Sequence, residues 1–173
     1  MKAIAAVDKN WAIGKDGNLL ESIPEDMKFF RKTTSGHVVV MGRKTLESFP
    51  GKKPLKNRVN IVLTRDTSYK PAGEAVIVHN MDELADILSG YDTDDVFVIG
   101  GDSIYRLLLP LCNTAYITKI DKEYEADAYF PDLDKEAEWK AEPLSEEKEH
   151  EGLKYRFFVY RREQKTSLRM SGN

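Results

Sequence analysis

Short apolar runs rich in β-branched residues, alternating with segments that carry helical signals, constrain the fold of this chain more than any other feature. Four such runs lie at residues 38–41, 59–63, 75–78 and 96–99, each bounded by Gly, Pro or polar residues. Runs without polar alternation are typical of strands covered on both faces. The chain start, residues 1–8, contains a short apolar run before Asp8 and reads in the same way as a buried first strand.

Helices are predicted between these runs, at residues 24–33, 44–49, 81–88 and 103–109. Ser22 is expected to cap the first helix, with Pro24 in its first turn. Strands that alternate with helices in this way indicate an α/β protein with a mainly parallel sheet.

The last third of the chain breaks this alternation. Residues 115–120 and 153–161 read as strands without a clear helix between them, which favours an antiparallel hairpin at the sheet edge. The acidic stretch at 139–151 that joins them is interpreted as a solvated face or loop. We expect one domain at 1–162 and a polar tail at 163–173.

Composition narrows the function classes. With 173 residues, 41% of them hydrophobic and 32% charged, and a net charge of -3, the chain resembles an ordinary soluble domain without the basic excess of nucleic-acid-binding proteins. Cys112 is its single cysteine, which excludes an internal disulfide or a cysteine zinc cluster and favours a reducing compartment. The N-terminal apolar run is too short for a signal peptide or membrane span, so we expect a cytoplasmic protein without membrane contact.

Asp26 is the first candidate functional residue. Ile23, Met27 and Phe30 share one face of the first helix, and Asp26 lies beside that face. A carboxylate bordering apolar surface is unusual, but an acidic residue in a first helical turn also favourably meets the positive end of the helix dipole. The residues alone leave both interpretations open.

Three predicted strand ends carry glycines, hydroxyls or cations. They are Val98-Ile99-Gly100-Gly101-Asp102-Ser103, Met41-Gly42-Arg43-Lys44-Thr45 and Leu63-Thr64-Arg65. Glycine turns let backbone approach a phosphate, and the strand ends of a parallel sheet can converge on one anionic ligand. No histidine spacing suits a metal, and no nucleophile elbow or Walker loop is present.

These motifs resemble those of the dihydrofolate reductase family over residues 2–161. The resemblance rests on the order of Ala5-Ala6-Val7, Ile13-Gly14, Ile23-Pro24-Glu25-Asp26-Met27, Met41-Gly42-Arg43-Lys44-Thr45, Ile99-Gly100-Gly101 and Phe130-Pro131. It implies a central eight-stranded, mostly parallel sheet with an antiparallel C-terminal edge and four flanking helices. It also implies NADPH-dependent reduction of 7,8-dihydrofolate to 5,6,7,8-tetrahydrofolate, with hydride transfer to pterin C6 and protonation of N5.

The resemblance also assigns residues to the substrate. Asp26 accepts two hydrogen bonds from the donor edge of the pterin, with Thr118 as its hydroxyl partner, and these two are the expected catalytic residues. Arg58 receives the glutamate carboxylate. The full substrate set is Ile4, Ala5, Asp26, Met27, Phe30, Phe49, Arg58, Ile99 and Thr118.

On the cofactor side, the resemblance implies backbone contacts to the nicotinamide, a Gly100-Gly101 peptide that is typically cis, and cations that grip the phosphates. Asp127 resembles a loop residue that steadies the active-site lid. The cofactor set is Ala6, Ile13, Gly14, Gly42, Arg43, Lys44, Thr45, Thr64, Arg65, Gly100, Gly101, Asp102, Ser103, Ile104 and Tyr105.

One departure from the family lies at Leu20-Glu21, where the family usually has a Pro-Trp pair. We expect Glu21 to face solvent, because an unpaired carboxylate buried beside Asp26 is costly. The alternatives are a riboflavin-pathway pyrimidine reductase, whose usual zinc deaminase domain needs more cysteines, and a pterin-binding protein without turnover. Expected partners are dihydrofolate and antifolate-type small molecules, and the expected state is a monomer.

Overall fold

One large sheet organises the molecule. The computed structural model describes residues 1–163, so nearly all of the expected polar tail lies outside the described residues. The strands are β1 (Lys2–Val7), β2 (Ala12–Lys15), β3 (Asn18–Leu19), β4 (Val38–Gly42), β5 (Val59–Leu63), β6 (Val76–Val78), β7 (Val96–Gly100), β8 (Thr114–Ile120), β9 (Ala128–Tyr129), β10 (Trp139–Pro143), β11 (Lys148–His150) and β12 (Leu153–Arg162). The α-helices are α1 (Pro24–Thr34), α2 (Arg43–Glu47), α3 (Met81–Leu88) and α4 (Asp102–Leu108).

The strand order of the large sheet is β10-β12-β8-β1-β7-β4-β5-β6, with β11 also paired to β12. Every pairing from β8 through β6 is parallel, whereas β12 runs antiparallel to β8 and both β10 and β11 run antiparallel to β12. The predicted eight-stranded path, its antiparallel C-terminal edge and its four helices are confirmed. Within the described residues, no helix has the length and apolar character needed to cross a membrane.

Both faces of the parallel strands are covered, as the apolar runs predicted. In β4, Val38 and Val40 pack into one hydrophobic cluster, and Val39 and Met41 pack into another. Since alternate side chains of a strand leave opposite faces, the sheet has a core on each side. The carboxyl ends of β4, β5 and β7 meet at one edge, because Met41 is paired with Gly100 and Gly42 with Leu63.

The interpretation of residues 139–151 as a solvated face or loop is wrong in part. This stretch contains β10 and β11, which extend the sheet edge. In β10 only Trp139 is buried, with 5% of its surface exposed, and the other residues face solvent. One buried residue in an otherwise exposed strand leaves no alternation of apolar and polar residues, so no strand is predicted there from the pattern.

The predicted cap of α1 is also wrong. The N-cap residue is Ile23, and it makes no side-chain capping hydrogen bond. Helix α2 ends at Glu47, two residues earlier than predicted, and α4 begins at Asp102, one residue earlier.

A second, three-stranded sheet of order β3-β2-β9 was not predicted, because its strands of two to four residues are too short for a periodic pattern.

Candidate active site

Asp26 and Thr118 form a bonded pair between α1 and β8. The Thr118 hydroxyl donates to Asp26 Oδ1 at 2.7 Å. Thr118 is buried and Asp26 is partly buried. Burial raises the pKa of Asp26, and the hydrogen bond from Thr118 offsets that rise only in part. The carboxylate has lone pairs left for further donors, and its partial desolvation strengthens the interaction with any donor that reaches it.

Apolar side chains predicted to line the site come together beside this pair. Ile4 and Ile99 are buried in one cluster, with Phe30 and Phe49 packed against it. Met27 lies on the same helix but leaves 43% of its surface exposed. The structure therefore combines one polar pair with an apolar wall.

The register of the sheet brings the expected strand residues to this place. Ala6 of β1 is paired with Thr118 of β8, and Ala5 with Ile117. The Tyr105 hydroxyl donates to the Ile4 carbonyl at 2.6 Å. This bond fixes the first helix turn after β7 against the middle of β1, a contact that the sequence did not predict.

Arg58 lies in the connection that leads into β5. It donates to the Lys56 carbonyl at 2.9 Å and to Thr34 Oγ1 at 3.2 Å, at the end of α1. Burial, and then the nearby Arg31, lower the pKa of Arg58. Two neighbouring guanidinium groups repel each other and favour an anionic ligand between or beside them.

Asn60 is a supporting residue that sequence reasoning missed. Its buried side chain accepts from the Leu55 N–H and donates to the carbonyls of Leu55 and Arg58. These bonds hold the connection that carries Arg58. The available signal was the single amide in the otherwise apolar run Val59-Asn60-Ile61-Val62-Leu63, because a buried amide needs partners.

The glycines at the strand ends allow close approaches. A Cβ at Gly42 would lie 3.1 Å from Ile104 Cγ1, and a Cβ at Gly101 would lie 3.6 Å from Thr45 Oγ1. The Gly100-Gly101 peptide is cis. A side chain at Gly42 would require Ile104 to shift by a few tenths of an ångström, so β4 and α4 are closely packed at this glycine.

Cations surround the same edge. Arg43 pairs with Glu47 one turn along α2, at 2.9 Å. Among residues 1–163, neither Lys44 nor Arg65 forms an ion pair, and both are exposed. The structure therefore presents two unpaired positive charges close to the strand ends.

The other predicted cofactor-side residues are distributed between this edge and the segment after β1. They are Ala6 at the end of β1, Ile13 and Gly14 in β2, Thr64 directly after β5, and Asp102, Ser103, Ile104 and Tyr105 in the first turn of α4. Asp102 has a structural duty as well, because it accepts from the Tyr129 N–H at 3.0 Å and pairs with Arg106.

The segment from residue 9 to residue 23, here called the lid, is bonded to the loop between β8 and β9. The Asp16 N–H donates to Asp127 Oδ2 at 3.0 Å, and the Asp127 N–H donates to the Gly14 carbonyl at 3.1 Å. Asp8 accepts from the N–H groups of Ala12 and Tyr124, at 2.9 Å each. The lid is therefore attached to that loop at both ends of β2.

The prediction that Glu21 faces solvent is wrong. Glu21 is partly buried, and its Oε2 accepts from the Tyr124 hydroxyl at 2.8 Å. Burial raises the pKa of Tyr124, and the nearby Glu21 carboxylate raises it further, so the phenol keeps the proton that it donates. The prediction failed because it assumed an unpaired carboxylate, whereas the fold supplies a donor.

Comparisons with known proteins agree with this geometry. The family model described as Dihydrofolate reductase matches residues 1–162. A dihydrofolate reductase of Bacillus subtilis is 39% identical over 98% of this chain and 97% of its own, and that of Rattus norvegicus is 36% identical over 92% and 96%.

A solved structure gives the same result for the fold. A dihydrofolate reductase from Enterococcus faecalis, complexed with NADP(H) and RAB-propyl, superposes with a TM-score of 0.80 at 32% identity, covering 94% of this chain and 96% of that one. The mixed sheet, parallel with an antiparallel C-terminal edge, is that of the dihydrofolate reductase fold. The chain belongs to the dihydrofolate reductase family.

Proposed function

We propose that this protein is an NADPH-dependent dihydrofolate reductase that converts 7,8-dihydrofolate to 5,6,7,8-tetrahydrofolate. The observation that carries the proposal is the partly buried Asp26 carboxylate, bonded to Thr118 beside the apolar cluster of Ile4 and Ile99. The donor edge of a pterin offers an amino group and a ring N–H side by side, which suits a carboxylate. Family membership over residues 1–162 supports the same reaction.

The residues at the carboxyl edge of the sheet fit a dinucleotide phosphate. Gly42 lies at the end of β4 and Gly101 directly after β7, and neither has a side chain to screen its backbone from a ligand. Lys44 and Arg65 supply positive charge and form no ion pair among residues 1–163. Arg65 and Thr64 follow β5, where they suit the 2′-phosphate that distinguishes NADPH from NADH. When bound, NADPH supplies the hydride.

The contribution of the protein to the chemistry is orientation, electrostatics and exclusion of water. Asp26 would hold the pterin through its donor edge, while Phe30 and Phe49 contact the ring and the aminobenzoyl group. The hydride goes to C6 and a proton goes to N5, so the C6–N5 double bond is reduced. A negative charge at Asp26 favours the protonated pterin and so assists that proton transfer.

At the far end of the substrate, Arg58 is the proposed partner of the glutamate carboxylate. Its guanidinium lies close to Arg31, and both charges gain from an anion. The bonds of Arg58 to Thr34 and to the Lys56 carbonyl orient it before the substrate arrives. A preoriented guanidinium loses less freedom on binding.

Absorbance-monitored oxidation of NADPH, with and without dihydrofolate, tests the proposal. We expect oxidation that depends on dihydrofolate and much slower turnover with NADH. Oxidation that instead requires a riboflavin-pathway pyrimidine would assign the chain to that reductase. Binding of dihydrofolate without oxidation would identify a pterin-binding protein that lacks turnover.

The remaining proposals follow from this function. We propose a cytoplasmic monomer in the tetrahydrofolate supply of one-carbon metabolism, with antifolate-type molecules as competitors of dihydrofolate. The domain is proposed to span residues 1–162. Light scattering on the purified chain tests the monomer, and an activity assay on a chain ended at residue 162 tests the domain boundary.

A further inference from the structure

Glu25, the residue before Asp26, is bonded to two residues of the C-terminal hairpin. Its Oε2 accepts from the Tyr155 hydroxyl at 2.6 Å, and its Oε1 accepts from Lys148 Nζ at 2.9 Å. Lys148 lies in β11 and Tyr155 in β12, and Tyr155 is buried. We name Glu25, Lys148 and Tyr155 the Glu25 clasp.

The start of α1 has no side-chain cap and is held by the buried Ile23, which packs in one cluster with Tyr155, by the bond between Asp26 and Thr118, and by the Glu25 clasp. Its N-cap Ile23 makes no side-chain capping bond. The N–H groups of a first turn have no partners within the helix, so an uncapped start tends to fray. The Glu25 clasp attaches this turn to the sheet at the residue next to the Asp26 bond.

The two attachments reach neighbouring strands. Asp26 is bonded to Thr118 of β8, and Glu25 is bonded to Tyr155 of β12. In the sheet, Tyr155 is paired with Ile120, two residues along β8 from Thr118. Two adjacent helix residues are thus bonded to two neighbouring strands, at register positions two residues apart.

The clasp opposes a movement that Asp26 itself favours. Burial raises the pKa of Asp26, which means that its ionised form would gain hydration if the first turn moved away from β8. Glu25 behaves in the opposite way, because the hydrogen bonds from Tyr155 and then Lys148 hold the pKa of its carboxyl below the usual value. Glu25 therefore stays ionised and bonded near neutral pH.

The charged groups around Glu25 are consistent with this direction. Lys148 of β11 and Lys28 of α1 both favour its ionised form. On β12, the pKa of Tyr155 is raised to about 12, because of burial and then Glu25, so the phenol remains a donor. The bonds of the clasp are thus present throughout the neutral range.

We propose that Glu25 is a positioning residue that holds Asp26 in place for substrate binding and turnover. The inference rests on the proposed function, since it assigns Asp26 to the pterin. Glu25 does not touch the substrate in this proposal. It acts by keeping the first turn of α1 against β8 and β12, so that the Asp26 carboxylate is already in place when the pterin binds.

A double-mutant cycle tests the inference. Glu25→Ala, Glu25→Gln and Tyr155→Phe are each made in the wild-type chain and in Asp26→Asn. The measurements are kcat/KM for dihydrofolate at saturating NADPH, KM for NADPH, and thermal unfolding. Glu142→Gln is the matched control, because Glu142 forms a 2.7 Å ion pair with Arg161 on the same sheet edge without reaching α1.

We expect Glu25→Ala to lower kcat/KM for dihydrofolate by about fivefold to thirtyfold, the range of a coupling of 1–2 kcal/mol. Glu25→Gln should lose less, because its amide oxygen still accepts from Tyr155. Tyr155→Phe should lower kcat/KM by about as much as Glu25→Gln does. KM for NADPH should change by less than about twofold in all of them, whereas general loosening of the fold would alter both substrates.

In the Asp26→Asn chain, the same substitutions should have no further effect on kcat/KM. Equal losses in both backgrounds would overturn the inference, because Glu25 would then act independently of Asp26. Unchanged kcat/KM in Glu25→Ala would also overturn it. Failure of the proposed function would give a different result. Asp26→Asn alone would then retain near-normal turnover, and the positioning role of Glu25 would be wrong as well.

Discussion

Replacing Asp26 by Asn changes one oxygen of the active site into an amide nitrogen and preserves the shape of the side chain. The Asn Oδ1 can still accept from the Thr118 hydroxyl, which lies 2.7 Å from the native carboxylate oxygen. The donor edge of the pterin, however, meets an NH₂ donor in place of an acceptor. One charge-assisted hydrogen bond is lost and the other is weakened, each contributing about 1.5 to 3 kcal/mol.

A transition-state loss of about 3 to 4 kcal/mol corresponds to a 100- to 1000-fold lower kcat/KM. The assay is NADPH oxidation across a range of pH. Solvent acid can partly replace Asp26 in favouring the protonated substrate, so the rate of the variant should climb as pH falls. The rate of the wild-type protein should rise less steeply as pH falls over the same range.

Thermal unfolding supplies the control, and its sign is opposite to that expected for an ordinary helix residue. Burial raises the pKa of Asp26 above its unfolded value, so the ionised carboxylate destabilises the fold above the folded pKa. The destabilisation disappears below the unfolded pKa, where both states are protonated. Asp26→Asn should therefore melt at a higher temperature at neutral pH and show no gain in acid.

The opposite pair of results would refute this reasoning. Near-normal kcat/KM together with a lower melting temperature at neutral pH would show that Asp26 is a first-turn residue that stabilises α1 through the helix dipole. That contribution is only about 0.3 to 1 kcal/mol. Both the catalytic assignment and the argument from burial would then be wrong.

Three further predictions concern the cofactor edge, the lid and the turn after β7. Arg65→Ala should raise KM for NADPH about tenfold or more and leave NADH kinetics unchanged, because a charged hydrogen bond to the 2′-phosphate is lost; an equal effect on both cofactors would contradict this. Glu21→Gln and Tyr124→Phe should each lower kcat/KM by about two- to tenfold, and the double variant should lose no more, whereas additive losses would show that their 2.8 Å bond is not the cause. Gly100→Ala should lower the free energy of unfolding by about 1 to 3 kcal/mol in denaturant titrations, because φ is +125° and the new Cβ would lie 3.3 Å from the Tyr105 ring; an unchanged value would contradict this.

The sequence predicted the fold well where side-chain patterns are continuous. Residues 59–63 and 81–88 were predicted with their observed bounds, as β5 and α3. A buried parallel strand must be apolar on both faces, and a helix with a capping Asn80 has a defined start, so each carries its own signal. The edge strand β10 carries none, because only Trp139 is buried.

The site was predictable in its parts but not in its internal bonds. Asp26 was singled out by its place beside an apolar helix face, and the strand ends by their glycines and cations. Their convergence follows from parallel pairing, and the register of Met41 with Gly100 agrees with it. The hydrogen bond between Tyr105 and Ile4 spans 101 residues of sequence, and neither residue type requires the other.

Glu21 and Glu25 show why such bonds are lost to sequence reasoning. Both are carboxylates in a polar stretch before or within the first turn of α1, and both would be read as solvated. Their phenol partners, Tyr124 and Tyr155, lie 103 and 130 residues away. A tyrosine can bury its ring and still offer a hydroxyl, so neither Tyr155 in β12 nor Tyr124 in the loop before β9 indicates from sequence which acceptor it meets. Glu21 is partly buried and needs a donor, whereas Glu25 is exposed and its bonds attach the helix start to the sheet. Substitutions at either tyrosine should therefore alter activity before they alter the fold.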